Sequence, residues 1–430
     1  MGKLALATSH LDNLFLAWRD VRALVRKSTW PSIAAELDAI EASPLRALRE
    51  IRRQLRQGRY RFSPKWGYTK RKSGGSRRGI TVHGVADRIV QRAILNVLST
   101  RDPALRAHLG EIPEVLDVPT SFAGTPGRGV PEAIALAVKT MRDGASAFAL
   151  SDMKDFFPRI PRADVVEFVR ANVRDDEFAE LFRAALETEI ANRDDVERWL
   201  ELFPIAEVGV AQGSLLSVLV GNLSLRHFDA RLNGAPVTTI RYLDDFAILG
   251  PSVEVVSAAF RTAQEELAKL GMTCYQPGDG SQKAFLGPVA DGFDFLGCRV
   301  HPDGVSPARA ARRKLLREIA LVIAEGKDQI RAFLGSPSRR RAERTYAQTL
   351  VRVDRKVRGW GDAYRFVSNR LAFAQIDAEI DRVLGRFHSW FSRQYHDADP
   401  RTRRRISGIA LLGDTPPTMG RGGQSMPGNP

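Results

Sequence analysis

The stretch IRYLDDFAIL, residues 240–249, sets two adjacent acids, Asp244 and Asp245, between two runs of apolar and aromatic residues. Two short apolar and aromatic runs on either side of a polar centre predict a tight β-hairpin. Two like charges at such a turn repel each other and cost stability unless a cation lies against them. An ordinary polar turn is the plain alternative, because aspartate favours turns for local reasons. A third acid shifts the balance. Asp152, 92 residues upstream, ends the apolar strand pattern of SAFALSDMKDFF, with Phe156 and Phe157 following four and five positions later. If the two strands are neighbours, three carboxylates meet. Oxygen donors of this kind suit Mg²⁺, and a pair of such ions about 3.5 to 4 Å apart serves phosphoryl transfer.

Outward from these strands the chain reads as a mixed α+β protein. At 430 residues, 43% hydrophobic and 27% charged, it has the composition of an ordinary globular protein of two or three subdomains. No run approaches the roughly eighteen apolar residues of a membrane span, and the first twenty residues do not read as a secretory leader, so a cytoplasmic location is expected. Cys274 and Cys298 lie outside any Cys-x-x-Cys spacing, so neither a zinc site nor a disulfide framework is expected. From His301 onward there are 25 Lys plus Arg against 13 Asp plus Glu, which places +12 of the net +15 in the last 130 residues. A local excess of that size fits a polyanion, or else a solvated helix face.

The pattern predicts helices over residues 12–58, with Leu45, Leu48, Ile51 and Leu55 on one face. Next comes a basic two-stranded flap, YRFSPKWGYTKRKSGGSRRGITV, in which Tyr60, Phe62, Trp66 and Tyr68 alternate with cations and Gly74-Gly75 makes the turn. A helix is predicted from about Val85 and another at EVVSAAFRTAQEELAKLG, with Gly213 and Ser214 starting a third. PGDGSQKAFLGP reads as a loop, DGFDFLGCRVHPDGV as a strand pair, and residues 307–396 as almost entirely helical.

Taken in order, these motifs resemble the reverse transcriptases, in particular bacterial ones related to group II intron enzymes, over roughly residues 12–410. SDMKDFF resembles the first metal-binding palm motif, QGSLLS the motif lining the nucleotide pocket, YLDD the catalytic hairpin and FDFLG the primer grip. RRGITVHGVADRIVQRAI and SFAGTPGRGV resemble fingers motifs, and VRGWGDAY the helical thumb. The resemblance implies an α+β right-hand polymerase: an N-terminal helical region over 1–66, fingers over 67–140, an α/β palm over 141–304, an all-helical basic thumb over 305–412 and a disordered tail over 413–430. It implies RNA-directed DNA synthesis by two-metal catalysis with two Mg²⁺ ions, Mn²⁺ being the alternative.

Asp152, Asp244 and Asp245 are then the catalytic and metal-binding acids, with Asp245 the more peripheral. Arg77, Arg78, Phe156, Gln212, Gly213 and Lys283 fall at nucleotide-binding positions. Arginine's planar fork suits the triphosphate, and Lys70 and Lys72 are candidates to assist. Phe156 would exclude a 2′-hydroxyl, unless it simply fills the core. Gly213 lets backbone approach the base and template, and Lys283 can neutralise or protonate pyrophosphate. Tyr242, Phe295, Leu296, Gly297, Arg339, Arg340, Arg403 and Arg404 fall at primer or template positions. Implied partners are an RNA template, a dedicated non-coding RNA among the options, a DNA product and dNTPs, with a partner protein or a second copy of the chain; no membrane is implied. Leu243 stands where the intron enzymes usually have alanine and Val218 where they usually have proline, and no HNH-like segment is seen. RYLDDFAILG, DFFPRIPR and GVAQGSLLS look most like the stand-alone unknown-group enzymes, many of which act in antiphage defence. An intron-type maturase and a catalytically idle RNA-binding protein of the same fold are the alternatives.

Overall fold

The computed structural model describes residues 1–71, 75–125, 127–204, 207–234, 236–335 and 345–412, so the reading of a tail over 413–430 lies outside the described residues. The chain divides into two compact units, Met1–Leu296 and Gly297–Pro430.

The first unit is built on a four-stranded antiparallel sheet of order β4-β5-β3-β6, comprising β3 (Ala147–Asp152), β4 (Thr238–Tyr242), β5 (Asp245–Gly250) and β6 (Phe285–Pro288). β3 and β5 are central because both their faces are covered: Phe246, Ala247, Ile248 and Leu249 are all fully buried. Phe246 meets Phe228 edge-on at 5.5 Å and stacks on Phe260 at 6.1 Å, each such pair adding about 1 kcal/mol beyond its buried area. The helix Val253–Lys269 covers the sheet with Val256, Phe260, Ala263 and Leu267, a stripe at helical spacing. β6 falls in a segment that reads as loop. Phe285 and Leu286 are substantially exposed, so this edge strand carries no burial alternation and is held by backbone pairing to β3.

The basic flap is the ribbon of β1 (Trp66–Arg71) and β2 (Arg77–Val82), paired from Trp66↔Val82 to Arg71↔Arg77. One of its faces packs on a segment around Ile190 and Phe203, which lie just over 3 Å from where a Cβ on Gly67 would sit. Behind it the helices Leu11–Val25 and Val85–Leu98 are joined by Asn13, which donates to the Ala93 carbonyl at 3.1 Å and accepts from Asn96 at 2.9 Å. In the helix Pro44–Arg56 only Leu48 and Ile51 of the expected stripe are buried. Leu45, in the first turn after Pro44, lies past the edge of that packing and is 48% exposed. The helix after Gly213 begins at Ser217; residues 213–216 form a turn instead.

A further strand of the first unit, β7 (Phe293–Phe295), inserts Phe293 against Phe148 at 4.6 Å. The second unit opens with the hairpin of β8 (Cys298–His301) and β9 (Gly304–Pro307) and is otherwise helical. Its helices Arg309–Gly335, Tyr346–Ala363 and Leu371–Asp397 share a core of Leu315, Ile319, Val322, Ile323, Val353, Ile376, Ile380 and Phe387. Two of them touch where Gly326 faces Thr349: a Cβ there would stand 2.3 Å from Thr349 Oγ1, so glycine sets the approach.

Candidate functional site

β3 and β5 are registered so that Asp152 faces Asp245 directly, which puts both side chains on the same face of the sheet. Tyr242 pairs with Asp245, leaving Leu243 and Asp244 as a two-residue hairpin loop. Leu243 takes φ 61°, the left-handed conformation that such turns demand and that a branched side chain adopts only under constraint. The Met153 amide donates to the Asp244 carbonyl at 3.0 Å, which ties the loop to the end of β3. The three acids are thereby brought to one end of the sheet.

Their electrostatics follow from this crowding. Burial pushes the Asp245 carboxyl up to about 7, and the charges of Asp244 and Asp152 add to the effect against the opposing pull of Lys283. Asp244 is raised for the same leading reason, burial, with Asp152 contributing and its own backbone amide, Lys283 and Arg241 opposing. Lys283 Nζ donates to Asp152 Oδ2 at 2.6 Å. Burial lowers this ammonium's pKa, but the hydrogen bond and charge of Asp152, helped by Tyr275, outweigh that and raise it overall.

One ammonium thus faces three carboxylates, and carboxylate oxygens alone are the donor set preferred by a hard divalent cation. Among the described residues no three His, Cys, Asp or Glu side chains are drawn together into a preformed metal cage. The residues fit such an ion by donor type and adjacency, and Lys283 already pairs with Asp152.

The remaining positions fall as follows. Arg77 donates to Thr69 Oγ1 at 2.6 Å and lies over the Trp199 ring at 5.0 Å, while Arg78 is exposed beside Lys70. Phe156 is 2% exposed in the main core, edge-on to Phe157 at 5.4 Å and against Gly221, where an added Cβ would lie 2.9 Å from its ring. Gln212 accepts from the Thr81 amide at 2.9 Å. Gly213 has φ 132° and a Cβ there would stand 2.1 Å from the Thr81 carbonyl oxygen, so the close approach that requires glycine is to the flap.

Tyr242 is half-buried beside Asp245. Phe295 is buried in the first unit, and Leu296 ends that unit at φ 49°. Gly297 begins the second unit with its carbonyl accepting from Tyr364 at 3.3 Å. Arg403 donates to the carbonyls of Tyr395 and His396 and lies over the Tyr395 ring, closing the end of the helix Leu371–Asp397, while Arg404 donates to the Ala410 carbonyl. Arg339, Arg340 and Lys72 lie outside the described residues.

Several contributors are not evident from motif reading. Tyr275 donates its amide to the Asp152 carbonyl at 3.1 Å and receives Lys154 and Lys283 over its ring at 4.8 and 4.6 Å. Nothing in TCYQPG announces that role. Arg241 is different: it is fully buried and paired with Asp229, and an arginine inside an apolar strand is itself a signal that a buried acid must face it.

The match to the family described as reverse transcriptase (RNA-dependent DNA polymerase) runs over residues 70–299, just over half of the chain. A curated relative, the "Uncharacterized 91 kDa protein in cob intron" of Schizosaccharomyces pombe, is 24% identical over 196 residues, 45% of this chain and 21% of that protein. The chain therefore spans about a fifth of that relative's length. Among solved structures, a "Partial Cas6-RT-Cas1--Cas2 complex" has 20% identity and a TM-score of 0.35 over 62% of this chain and 43% of the other. Apo telomerase from Candida tropicalis has 14% identity and a TM-score of 0.36 over 57% of this chain and 55% of the other. Those values describe partial backbone overlap and nothing about what this chain does. The α+β architecture described above is the right-hand polymerase fold, and on the match over residues 70–299 the chain belongs to the reverse transcriptase family.

Proposed function

We propose that the chain is an RNA-directed DNA polymerase whose catalytic acids are Asp152, Asp244 and Asp245. The observation carrying this is the register that sets Asp152 against Asp245 beside the hairpin loop of Leu243 and Asp244, with Leu243 at φ 61°. Asp152 and Asp244 would hold two Mg²⁺ ions, or Mn²⁺, with Asp245 more peripheral; such ions would activate the attacking hydroxyl and offset charge developing on the phosphate. The protein's own groups do the rest. Lys283, held over Tyr275 and against Asp152, is poised to transfer its partnership to a leaving pyrophosphate. Arg77 and Arg78 present guanidinium groups to the triphosphate, and Gln212 and Gly213 form the turn beneath the nucleotide. Phe156, buried in the main core against Gly221, takes the alternative role of filling the core. Tyr242, Phe295, Leu296 and Gly297 are assigned to the primer from their motifs, and Arg339, Arg340, Arg403 and Arg404 to duplex phosphates.

In domain terms the N-terminal helical region would span 1–66, the fingers 67–140, the palm 141–304 and the thumb 305–412. The nucleic-acid partners would be an RNA template and its DNA product. Extension of a primer on RNA with dNTPs, and not with rNTPs, tests the reaction.

Within the family, the motif neighbourhood RYLDDFAILG, DFFPRIPR and GVAQGSLLS supports a stand-alone bacterial enzyme of the cytoplasm acting in antiphage defence on a dedicated structured RNA. The cob-intron relative favours a second reading, an intron-type maturase. Sequencing the nucleic acid that copurifies with the protein separates them: a discrete non-coding RNA and its cDNA supports the first, an intron RNA the second. Among the described residues no helix is long and apolar enough to cross a membrane.

A further inference from the structure

We infer that Arg241 is a positioning residue for the catalytic turn: its guanidinium holds the Leu243 carbonyl in the left-handed conformation that points Asp244 and Asp245 at Asp152. The inference deepens the function proposed above and rests on it for the identity of the reaction.

Arginine has five N–H donors in a fixed fork. In this chain all five are used on five different acceptors. Nε donates to Asp229 Oδ1 at 2.7 Å and Nη2 to Asp229 Oδ2; Nη2 also donates to Ser121 Oγ at 2.8 Å. Nη1 donates to Asn222 Oδ1 at 3.0 Å and to the Leu243 carbonyl at 3.1 Å. Arg241 and Asp229 are each about 1% exposed, so neither has water as an alternative partner. Four of these acceptors are there to aim the fork. Asp229 fixes its plane from the helix Arg226–Leu232, Asn222 from the helix Ser217–Ser224, and Ser121 from the segment whose Phe122 amide donates to the Arg241 carbonyl at 3.0 Å. Only the fifth acceptor belongs to the catalytic turn.

The constraint is needed because leucine does not hold φ 61° unaided. Relaxing Leu243 to negative φ would rotate the peptide before Asp244 and swing both carboxylates away from the end of β3. A buried ion pair is a poor way to gain stability, since apolar residues of similar volume serve equally well or better. Its geometric use is the better account of why it stands next to the acids.

That comparison supplies the test. The double substitution Arg241→Met with Asp229→Leu removes both charges together, so no buried charge is stranded and the fold is retained. Arg241→Lys keeps the charge opposite Asp229 but cannot reach five acceptors at once. Both variants and wild type are compared by thermal melting with and without Mg²⁺ and by primer extension on RNA. We expect the double variant to melt cooperatively near wild type yet lose about 10²-fold in kcat, with KM for dNTP changed less than about threefold. Its Mg²⁺-induced rise in melting temperature should be largely lost. Adding Leu243→Gly to Arg241→Lys should recover at least about tenfold in kcat, because glycine adopts positive φ freely.

A folded double variant with wild-type kcat and wild-type Mg²⁺ response would overturn the inference. So would a failure of Leu243→Gly to recover any activity while melting normally. If wild type itself extends no primer, the proposed reaction fails, and the Mg²⁺ response of wild type against the double variant still decides whether Arg241 sets the turn.

Discussion

Replacing Gly213 with alanine perturbs a single contact whose cost can be worked out. The new Cβ would lie 2.1 Å from the Thr81 carbonyl oxygen, so the turn and the flap must separate by roughly 0.9 Å to reach even 3.0 Å. At φ 132° alanine also sits in a backbone region that costs about 1–3 kcal/mol. Separation further stretches the 2.9 Å bond from the Thr81 amide to the Gln212 carbonyl, worth about 1 kcal/mol. The expected loss is about 2–4 kcal/mol in a denaturant titration. Gly271→Ala is the internal control, since Gly271 has φ 68° with no atom within 4 Å of the added Cβ, and strain alone should cost about 1 kcal/mol. Because the same turn carries Gln212, the Gly213 variant should also raise KM for dNTP. If Gly213→Ala costs no more than Gly271→Ala, the flap contact is not what requires glycine and the reasoning is wrong.

Two more predictions concern titration and the leaving group. His83 is fully buried, bonded to Thr81 Oγ1 and Gln91, and its pKa lies well below the usual value because of burial first and the charges of Lys65 and Arg88 second. The unfolded chain therefore binds a proton that the folded one refuses, so this stability is present above about pH 6.5 and is lost as pH falls below it. His83→Gln should flatten the loss of stability between pH 7 and 5.5 relative to wild type; equal slopes in the two proteins would contradict this. Lys283→Ala should lower the single-turnover incorporation rate about 10²-fold with a smaller effect on RNA binding by filter retention, and an unchanged rate would remove Lys283 from the chemistry.

Legibility in the sequence followed the strength of the local pattern. The hairpin at residues 240–249 and the strand ending at Asp152 carry short apolar runs with polar breaks, and both fold as read. β6 was hidden because Phe285 and Leu286 lie at a half-exposed edge and leave no burial rhythm. Gly213 could be recognised as a close-approach glycine, but the sequence has no way to reveal that Thr81 stands opposite it. Lys283 reaching Asp152, and Tyr275 supporting it, depend on a crossing of segments more than 120 residues apart. Arg241 was in principle visible as a charge inside a buried strand, yet its four other acceptors come from three separate stretches of chain.

The most direct test of the catalytic assignment is single-turnover extension of a primer on RNA with dNTPs and Mg²⁺ by Asp152→Asn, Asp244→Asn and wild type, with each variant's melting curve alongside. Wild type should extend the primer, and both asparagine variants, folded to the same extent, should fall by on the order of 10³-fold or more, the loss of several kcal/mol of transition-state stabilisation. Wild-type rates in either folded variant would contradict the account.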